Sequence, residues 1–332
     1  MWRRLTQALV ISILFGLLGF AFVFFRGGRP EDLLEIRKLS PTFLGLAISA
    51  LLLSFVFAAL RLQHLCRRLG HNLKFRHALR THILGIFSAA VTPSGGGSTP
   101  AIALALQYQG LSTPQAWATG IALFVADALF ILWTLPIALI FLRLHDMYPN
   151  TWWWNLIAVI AVAVTAFIAY VFIDRLQWLG PIFRSLLRGP LLRFRKNALR
   201  FVASLLESNQ IFTGASWGFY GITQLWTLLS WVSFFFILTL LARGLNVAIP
   251  IVASEAWQLV ITALSFAVPT PGGSGFFEFG TSILLLDKGN NAAVPAVLLV
   301  WRLMTFYLFF LLGPILGGYI LLKRMSSKSN GS

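Results

Sequence analysis

Six apolar runs, each long enough to cross a lipid bilayer, constrain this chain more than any other feature of its sequence. They cover roughly residues 5–25, 43–60, 115–142, 153–173, 217–242 and 293–322. A membrane-spanning helix needs about 20 apolar residues. Only 11% of the 332 residues are charged, whereas soluble domains carry about 25%. The sequence therefore predicts an all-α polytopic membrane protein, with residues 1–332 as a single integral membrane domain.

The net charge of +16 indicates membrane orientation rather than nucleic-acid binding, because the chain has no soluble part to carry a basic surface. With both termini inside, eighteen Lys and Arg residues fall in the inner segments 1–4, 61–80, 174–207 and the tail, and seven fall in outer loops. Basic residues accumulate on the cytoplasmic side of membrane proteins. We therefore expect a multi-pass protein of the bacterial inner membrane with cytoplasmic N- and C-termini.

The segment 174–207 is the most basic of the inner segments. Arg193, Lys196 and Arg200 share one face of a helix whose opposite face is apolar. Such a pattern is typical of a cytoplasmic interfacial helix on an anionic leaflet. Two interpretations fit this pattern: a positive-inside anchor, or a surface that delivers lipid to the protein. The anchor is the simpler interpretation.

Cysteine and histidine give no sign of a metal site or a cofactor. The one cysteine, Cys66, excludes a disulfide framework and a cysteine-rich metal site. The five histidines are scattered and form no HExxH pattern. We expect neither a metal nor a cofactor.

Two further apolar stretches are interrupted by proline and glycine, at Thr92–Pro100 and at Pro269–Gly275. Proline removes a backbone donor and glycine has a low helix propensity, so neither break can stay helical. The arm after each break has only about ten residues, which is too short to cross a bilayer. A single crossing of the first stretch would also put the basic segment outside. We therefore expect two re-entrant hairpins, over residues 82–108 and 251–286, beside about six full transmembrane helices.

The two breaks indicate an internal repeat. Thr92-Pro93 and Thr270-Pro271 each precede a glycine-rich run, 178 residues apart. The same shift carries 43–60 into the fifth apolar run and 115–142 onto the sixth. Repeat 1 is thus predicted over 43–142 and repeat 2 over 217–322, with opposite membrane topology. Broken segments at matching positions of inverted halves point to a transporter's binding site. The alternative is that proline and glycine merely close tight hairpins.

The breaks have the composition of an anion site. Thr99 followed by Pro100, and Ser274, are predicted helix N-caps. Free N–H groups and positive helix ends at mid-depth suit a lipid phosphate. The predicted substrate-binding residues at the breaks are Pro93, Gly95, Gly96, Gly97, Ser98, Thr99, Pro271, Gly272, Gly273, Ser274 and Gly275.

Three ionisable residues lie inside apolar sequence, namely Asp127, Glu278 and Arg302. Each costs roughly 2.5–3.5 kcal/mol at the centre of a lipid-facing helix. The functional hypothesis is that Arg302 binds an anionic headgroup while Glu278 or Asp127 exchanges a proton or cation. The structural alternative is a buried pair between Arg302 and an acid, with Glu278 complementing its helix dipole. Glu255, near the outer start of the second hairpin, is expected at the membrane interface.

At Thr92-Pro-Ser-Gly-Gly-Gly and at Pro269-Thr-Pro-Gly-Gly-Ser-Gly-Phe-Phe-Glu278 the chain resembles the lysylphosphatidylglycerol synthase transmembrane family, the flippase-like domain of the multiple peptide resistance factor. The resemblance covers residues 5 to 322. It departs from the family pattern at Thr99 and Ile102, where relatives often have charged residues. The resemblance implies movement of charged or prenyl-linked lipids between leaflets. In that family the aminoacyl transferase is a separate soluble domain, for which this chain has no room, so lysyltransferase activity is not expected.

Taken together, these patterns favour a flippase-like membrane protein that moves an anionic, aminoacylated or prenyl-linked lipid. Its expected partners are membrane lipids with an anionic headgroup. An intramembrane lipid-modifying enzyme is less favoured, because no nucleophile and base lie in evident mutual reach. An accessory membrane subunit for a cell-envelope glycosyltransferase or lipid-modifying enzyme remains the other alternative.

Overall fold

A computed structural model describes residues 29–144 and 203–316, the second range with gaps at 205, 209, 213, 267, 269 and 287–290, and isolated positions 14, 21, 159 and 163. The predicted spans 5–25 and 153–173 and nearly all of the basic segment 174–207 lie outside the described residues. In the described ranges the chain is helical, with isolated bridges as its only strand-like pairing. The all-α class is therefore confirmed.

The first half forms a 3₁₀ helix followed by four α-helices. The 3₁₀ helix covers Pro30–Lys38, and the α-helices are α1 (Pro41–Arg68), α2 (Phe75–Ala90), α3 (Ser98–Gln107) and α4 (Thr113–Leu144). Helix α1 begins on a proline, which suits the first helical position because the missing N–H is one that the helix leaves unbonded. Its last turn holds Arg67 and Arg68, which complement the negative end of the helix dipole.

The second half repeats this order. Its helices are α5 (Trp217–Gly244), α6 (Ile251–Ser265), α7 (Phe276–Leu285) and α8 (Val294–Arg302). A 3₁₀ turn, Asn291–Ala293, precedes α8, and a π-helical turn, Leu303–Tyr307, follows it. Helices α3 and α7 begin 178 residues apart, and so do α4 and the 3₁₀ turn before α8.

Four described helices are long and apolar enough to cross a membrane. They cover Pro41–Arg68, Thr113–Arg143, Trp217–Gly244 and Asn291–Leu316. The chain is therefore a multi-pass membrane protein. The number of six spans and the re-entrant course of the hairpins stay predictions.

The two halves pack into each other rather than side by side. Helix α1 of the first half packs along α5 of the second, and α4 packs against α6. One apolar core joins both halves and includes Phe55, Phe130, Leu238, Trp257 and Trp301. A smaller core lies in the first half around Leu62, Leu106 and Leu123. This interdigitation brings the two broken segments together.

Candidate functional site

The two helix breaks touch each other. Pro93 and Pro271 form an isolated antiparallel bridge, and the Ser94 hydroxyl donates to the carbonyl of Val268 at 3.1 Å. A Cβ atom on Gly272 would lie 3.2 Å from the Cα of Ala90. The proline- and glycine-rich residues predicted from each half therefore form one region.

The backbone of the two breaks follows the same hydrogen-bond pattern. The Gly96 N–H donates to the Pro93 carbonyl at 3.1 Å, and the Ser274 N–H donates to the Pro271 carbonyl at 3.1 Å. The N–H of Gly95 likewise bonds to Thr92, as that of Gly273 bonds to Thr270. Most of the backbone N–H groups that were predicted to bind an anion therefore donate to carbonyl groups within the turns.

The predicted N-caps are wrong. Helix α3 begins at Ser98 with Gly97 as its cap residue, so Thr99 lies in the first turn. Helix α7 begins at Phe276 with Gly275 as its cap residue, which has a φ of +84°. The Gly97 N–H donates to the Thr92 hydroxyl at 2.8 Å. A threonine that precedes the helix thus bonds the N–H of its cap residue.

Glu278 and Arg302 form a buried bidentate ion pair at the second break. Arg302 Nε donates to Glu278 Oε1 at 2.7 Å, and Nη2 donates to Oε2 at 2.8 Å. The Gly275 N–H donates to Oε2 at 2.7 Å. The Glu278 side chain is 0% exposed and that of Arg302 is 5% exposed. Three charge-assisted bonds hold the carboxylate at the positive end of α7, where the helix dipole also favours it.

Three aromatic rings surround the Arg302 guanidinium. Its central carbon lies 5.2 Å from the ring centroids of Phe277 and Trp301 and 5.0 Å from that of Phe306. Aromatic faces stabilise a cation within about 6 Å. Directly after Arg302, helix α8 continues as the π-helical turn Leu303–Tyr307. Such turns often occur at functional sites.

Several buried polar atoms in and beside the second break have no hydrogen-bond partner among the described residues. They are Thr270 Oγ1, Ser274 Oγ, Thr281 Oγ1 and Trp301 Nε1. Leaving such an atom unpaired costs about 1–3 kcal/mol. Each is able to donate a hydrogen bond, and the indole nitrogen can only donate. This region therefore offers donors that the described residues leave unused.

Asp127 pairs with Arg61, not with Arg302. Both terminal nitrogens of Arg61 contact the Asp127 carboxylate, and Nη1 also donates to the Thr227 hydroxyl at 3.1 Å. The Trp231 indole donates to Asp127 Oδ1 at 2.8 Å. The pair thus joins α1, α4 and α5, with Arg61 side-chain exposure at 7% and Asp127 at 25%.

Arg61 is not among the predicted site residues, because it directly follows the apolar run 43–60, where the sequence predicts the start of an inner segment. Helix α1 continues through it to Arg68. The signal that could have found it was Asp127 itself, because a carboxylate buried in apolar sequence needs a basic partner.

Thr99 and Ser98, also predicted to bind substrate, pack against neighbouring helices. A Cβ atom on Gly120 of α4 would lie 3.0 Å from Thr99 Cγ2. A Cβ atom on Gly85 of α2 would lie 3.3 Å from Ser98 Oγ. The start of α3 therefore fits closely between α2 and α4, and glycines on both helices make this approach possible.

A sequence model described as the lysylphosphatidylglycerol synthase TM region matches residues 8–313. The chain belongs to this family. A UPF0104 membrane protein of Archaeoglobus fulgidus is 26% identical over 275 residues, which cover 80% of this chain and 82% of that protein.

Membership in the lysylphosphatidylglycerol synthase TM family extends over both halves of the chain. The matched residues include both breaks and all four members of the Arg61–Asp127 and Arg302–Glu278 ion pairs. The resemblance found at the break motifs is thus confirmed.

Proposed function

We propose that this chain is a flippase-like membrane protein that moves an anionic, aminoacylated or prenyl-linked lipid between the two leaflets of the inner membrane. The observation that carries the proposal is the Glu278–Arg302 pair, buried beside a broken helix of a membrane protein. Ionisable residues inside membrane segments are costly and mark substrate or ion pathways. Family membership and the contact between the two breaks support the same interpretation.

In the proposed mechanism, the headgroup binds beside the second break. The unused donors of Ser274 and Trp301 would bond a phosphate oxygen, and the Arg302 guanidinium would add a fixed positive charge. Arg302 can turn its planar fork towards a phosphate as readily as towards a carboxylate. Glu278 would keep the bond from the Gly275 N–H during that exchange, so its carboxylate would not be left unbonded.

The proposed route for the lipid follows the contact between the two halves. We assign the hairpins 82–108 and 251–286 as re-entrant segments that enter from opposite sides, with both termini cytoplasmic. Irregular backbone at membrane depth is tolerated where it lines a cavity or is buried in protein. The bridge between Pro93 and Pro271 supports this arrangement, because it pairs residues at equivalent positions of the two repeats.

We further propose that the chain transports lipid without modifying it, with anionic membrane lipids as its partners. Mass spectrometry of lipids that copurify with the protein tests this assignment. Anionic or aminoacylated lipids should be enriched over the bulk membrane, and Arg302→Lys should reduce the enrichment because lysine lacks the bidentate fork. Equal lipid composition in the protein fraction and the bulk membrane would contradict the proposal.

A further inference from the structure

Glu255 on α6 differs from the other acids in the described spans and break segments. Its carboxylate oxygen Oε2 is buried and has no hydrogen-bond partner among the described residues. Oε1 accepts a bond from the Thr239 hydroxyl at 3.1 Å. Glu278 and Asp127, by contrast, are each paired with an arginine. Glu255 was expected at the membrane interface, but its carboxylate oxygen Oε2 is shielded from solvent.

No charged side chain in the described part of the chain forms an ion pair with Glu255. Helices α4, α5 and α7 pack against α6. Their charged side chains are Asp127 and Arg143 on α4, Arg243 on α5 and Glu278 on α7, and none forms an ion pair with Glu255 in the described part of the chain. Arg143 and Arg243 are exposed, and the two acids are bonded to their own arginines. The titratable Tyr220 is near the other end of α5 from Thr239.

The hydroxyl groups around Glu255 can serve both its protonation states. Thr239 Oγ1 lies 2.8 Å from Ser254 Oγ and 3.1 Å from Glu255 Oε1, yet a hydroxyl has only one proton to donate. When Glu255 is ionised, Thr239 must donate to it and Ser254 can donate to Thr239. When Glu255 is protonated on Oε1, it donates to Thr239, and Thr239 donates to Ser254.

Gln258 fixes the far end of this chain of hydroxyls. Its side-chain nitrogen donates to the Phe235 carbonyl at 3.0 Å and lies 3.3 Å from Ser254 Oγ. Gln258, Ser254 and Thr239 are all buried. The donor and acceptor roles of the hydroxyl groups between α5 and α6 therefore depend on whether Glu255 is charged. The bond between Glu255 Oε1 and Thr239 is kept in both states.

We propose that Glu255 is a proton-binding site, and that Thr239 and Ser254 reorient as it gains and loses its proton. One proton from water forms an O–H bond on the carboxylate and neutralises it, and its release reverses the step. Neutralisation is favourable because an isolated buried carboxylate is costly. That this proton drives transport rests on the proposed function; the protonation itself does not.

Infrared difference spectroscopy of the purified protein in lipid nanodiscs tests the site directly. Between low and high pH, wild type should show the carbonyl bands of protonated carboxylic acids from its ten Asp and Glu residues, and one of these bands should belong to Glu255. Glu255→Gln should lose this band, whereas Glu278→Gln and Asp127→Asn should keep it. Retention of the whole band in Glu255→Gln, or its absence from wild type, would overturn the proposal.

Thr239 offers a matched pair of variants. Thr239→Val removes a hydroxyl that bonds both forms of the Glu255 carboxyl group. The midpoint of the band's titration should move to higher pH, because the bond to the charged form is the stronger of the two that are lost. Thr239→Ser keeps the hydroxyl and should titrate nearly as wild type. Equal midpoints for the valine and serine variants would contradict the role of the hydroxyl.

A transport measurement separates this site from the proposed function. In vesicles, Glu255→Gln should abolish the acceleration of lipid movement by a pH gradient and keep the movement seen without one. If no lipid moves with wild type but the band behaves as expected, the proposed function fails and the proton site stands. Acceleration in Glu255→Gln equal to that in wild type would overturn the coupling role.

Discussion

Pro93 and Pro271, which occupy equivalent positions in the two halves of the chain, pair with each other in an antiparallel bridge. Their separation of 178 residues is also the separation of the starts of α3 and α7. Two equivalent residues that pair antiparallel lie on opposite sides of a local twofold axis. The two breaks therefore form one region with two related sides.

This contact predicts that cysteines introduced at positions 93 and 271 would form a disulfide between the two halves. Paired residues in an antiparallel bridge have Cα atoms about 4.5–5.5 Å apart, within the range of roughly 4.4–6.8 Å that a disulfide spans. In a Cys66→Ala background, Pro93→Cys with Pro271→Cys should crosslink under mild oxidation. With a protease site inserted between the halves, the cleaved fragments should stay joined until reduced. Separation of the oxidised fragments would contradict the bridge.

The pairing of acids and arginines predicts which substitutions are coupled. Arg61→Ala should cost about 3–5 kcal/mol of unfolding free energy, because it leaves the Asp127 carboxylate without its cation. Asp127→Asn should recover part of that loss, because the neutral amide needs no cation while still accepting a bond from Trp231. Arg302→Ala and Asp127→Asn should instead be additive within about 0.3–0.5 kcal/mol.

Unfolding of the single and double variants in detergent measures these couplings. Arg302→Ala combined with Glu278→Gln is the second pair of variants for which coupling is expected. The glutamine oxygen can still accept the hydrogen bond from the Gly275 N–H. Coupling between Arg302 and Asp127 that equals the coupling between Arg61 and Asp127 would contradict the observed pairing.

The glycines of the breaks should differ in their tolerance of a side chain. A Cβ atom on Gly272 would clash with the ring of Phe306, and the residue has a φ of +57°. Gly272→Ala should therefore destabilise the protein by about 1–3 kcal/mol through overpacking and strain. A Cβ atom on Gly96 would meet only the Pro93 carbonyl at 3.5 Å, so Gly96→Ala is the matched control. Thermal unfolding of the two variants should differ clearly, and equal midpoints would count against the packing of the second break.

Because the Ser274 hydroxyl has no hydrogen-bond partner among the described residues, its removal should affect lipid binding without lowering the stability of the fold. Ser274→Ala removes a buried polar atom that has no hydrogen-bond partner among the residues that the structure describes, so the unfolding temperature should stay constant or rise. Lipid copurification should fall if this hydroxyl bonds the headgroup. Thr281→Val removes another unpartnered hydroxyl further along α7 and should leave copurification unchanged. A fall in stability with normal lipid copurification would assign Ser274 to the fold alone.

Much of the architecture could be predicted because the bilayer imposes a simple rule on sequence. Apolar runs marked the described spans, and proline with glycine marked both breaks. The 178-residue spacing of Pro93 and Pro271 was visible in the sequence, and helix starts follow it. The contact between the two prolines was not visible, because it depends on how the halves pack.

The partners of the buried charges could not be predicted from their depth alone. Asp127 and Arg302 both lie inside apolar sequence, yet each bonds to another residue. Which face of a helix a charge occupies, and which helix lies opposite, is decided by tertiary packing. The cap residues were misassigned for a related reason, since Thr92 and Glu278 already bond the N–H groups of Gly97 and Gly275.

The most direct test of the account is the rate at which a fluorescent anionic lipid changes leaflets in vesicles that contain the purified protein. Wild type should accelerate this movement over protein-free vesicles, and Arg302→Lys, which keeps the positive charge but loses the bidentate fork, should reduce it strongly. Folded Arg302→Lys protein, verified by its unfolding temperature, is the condition for the comparison. Movement at the protein-free rate with wild type, or at the wild-type rate with Arg302→Lys, would contradict the account.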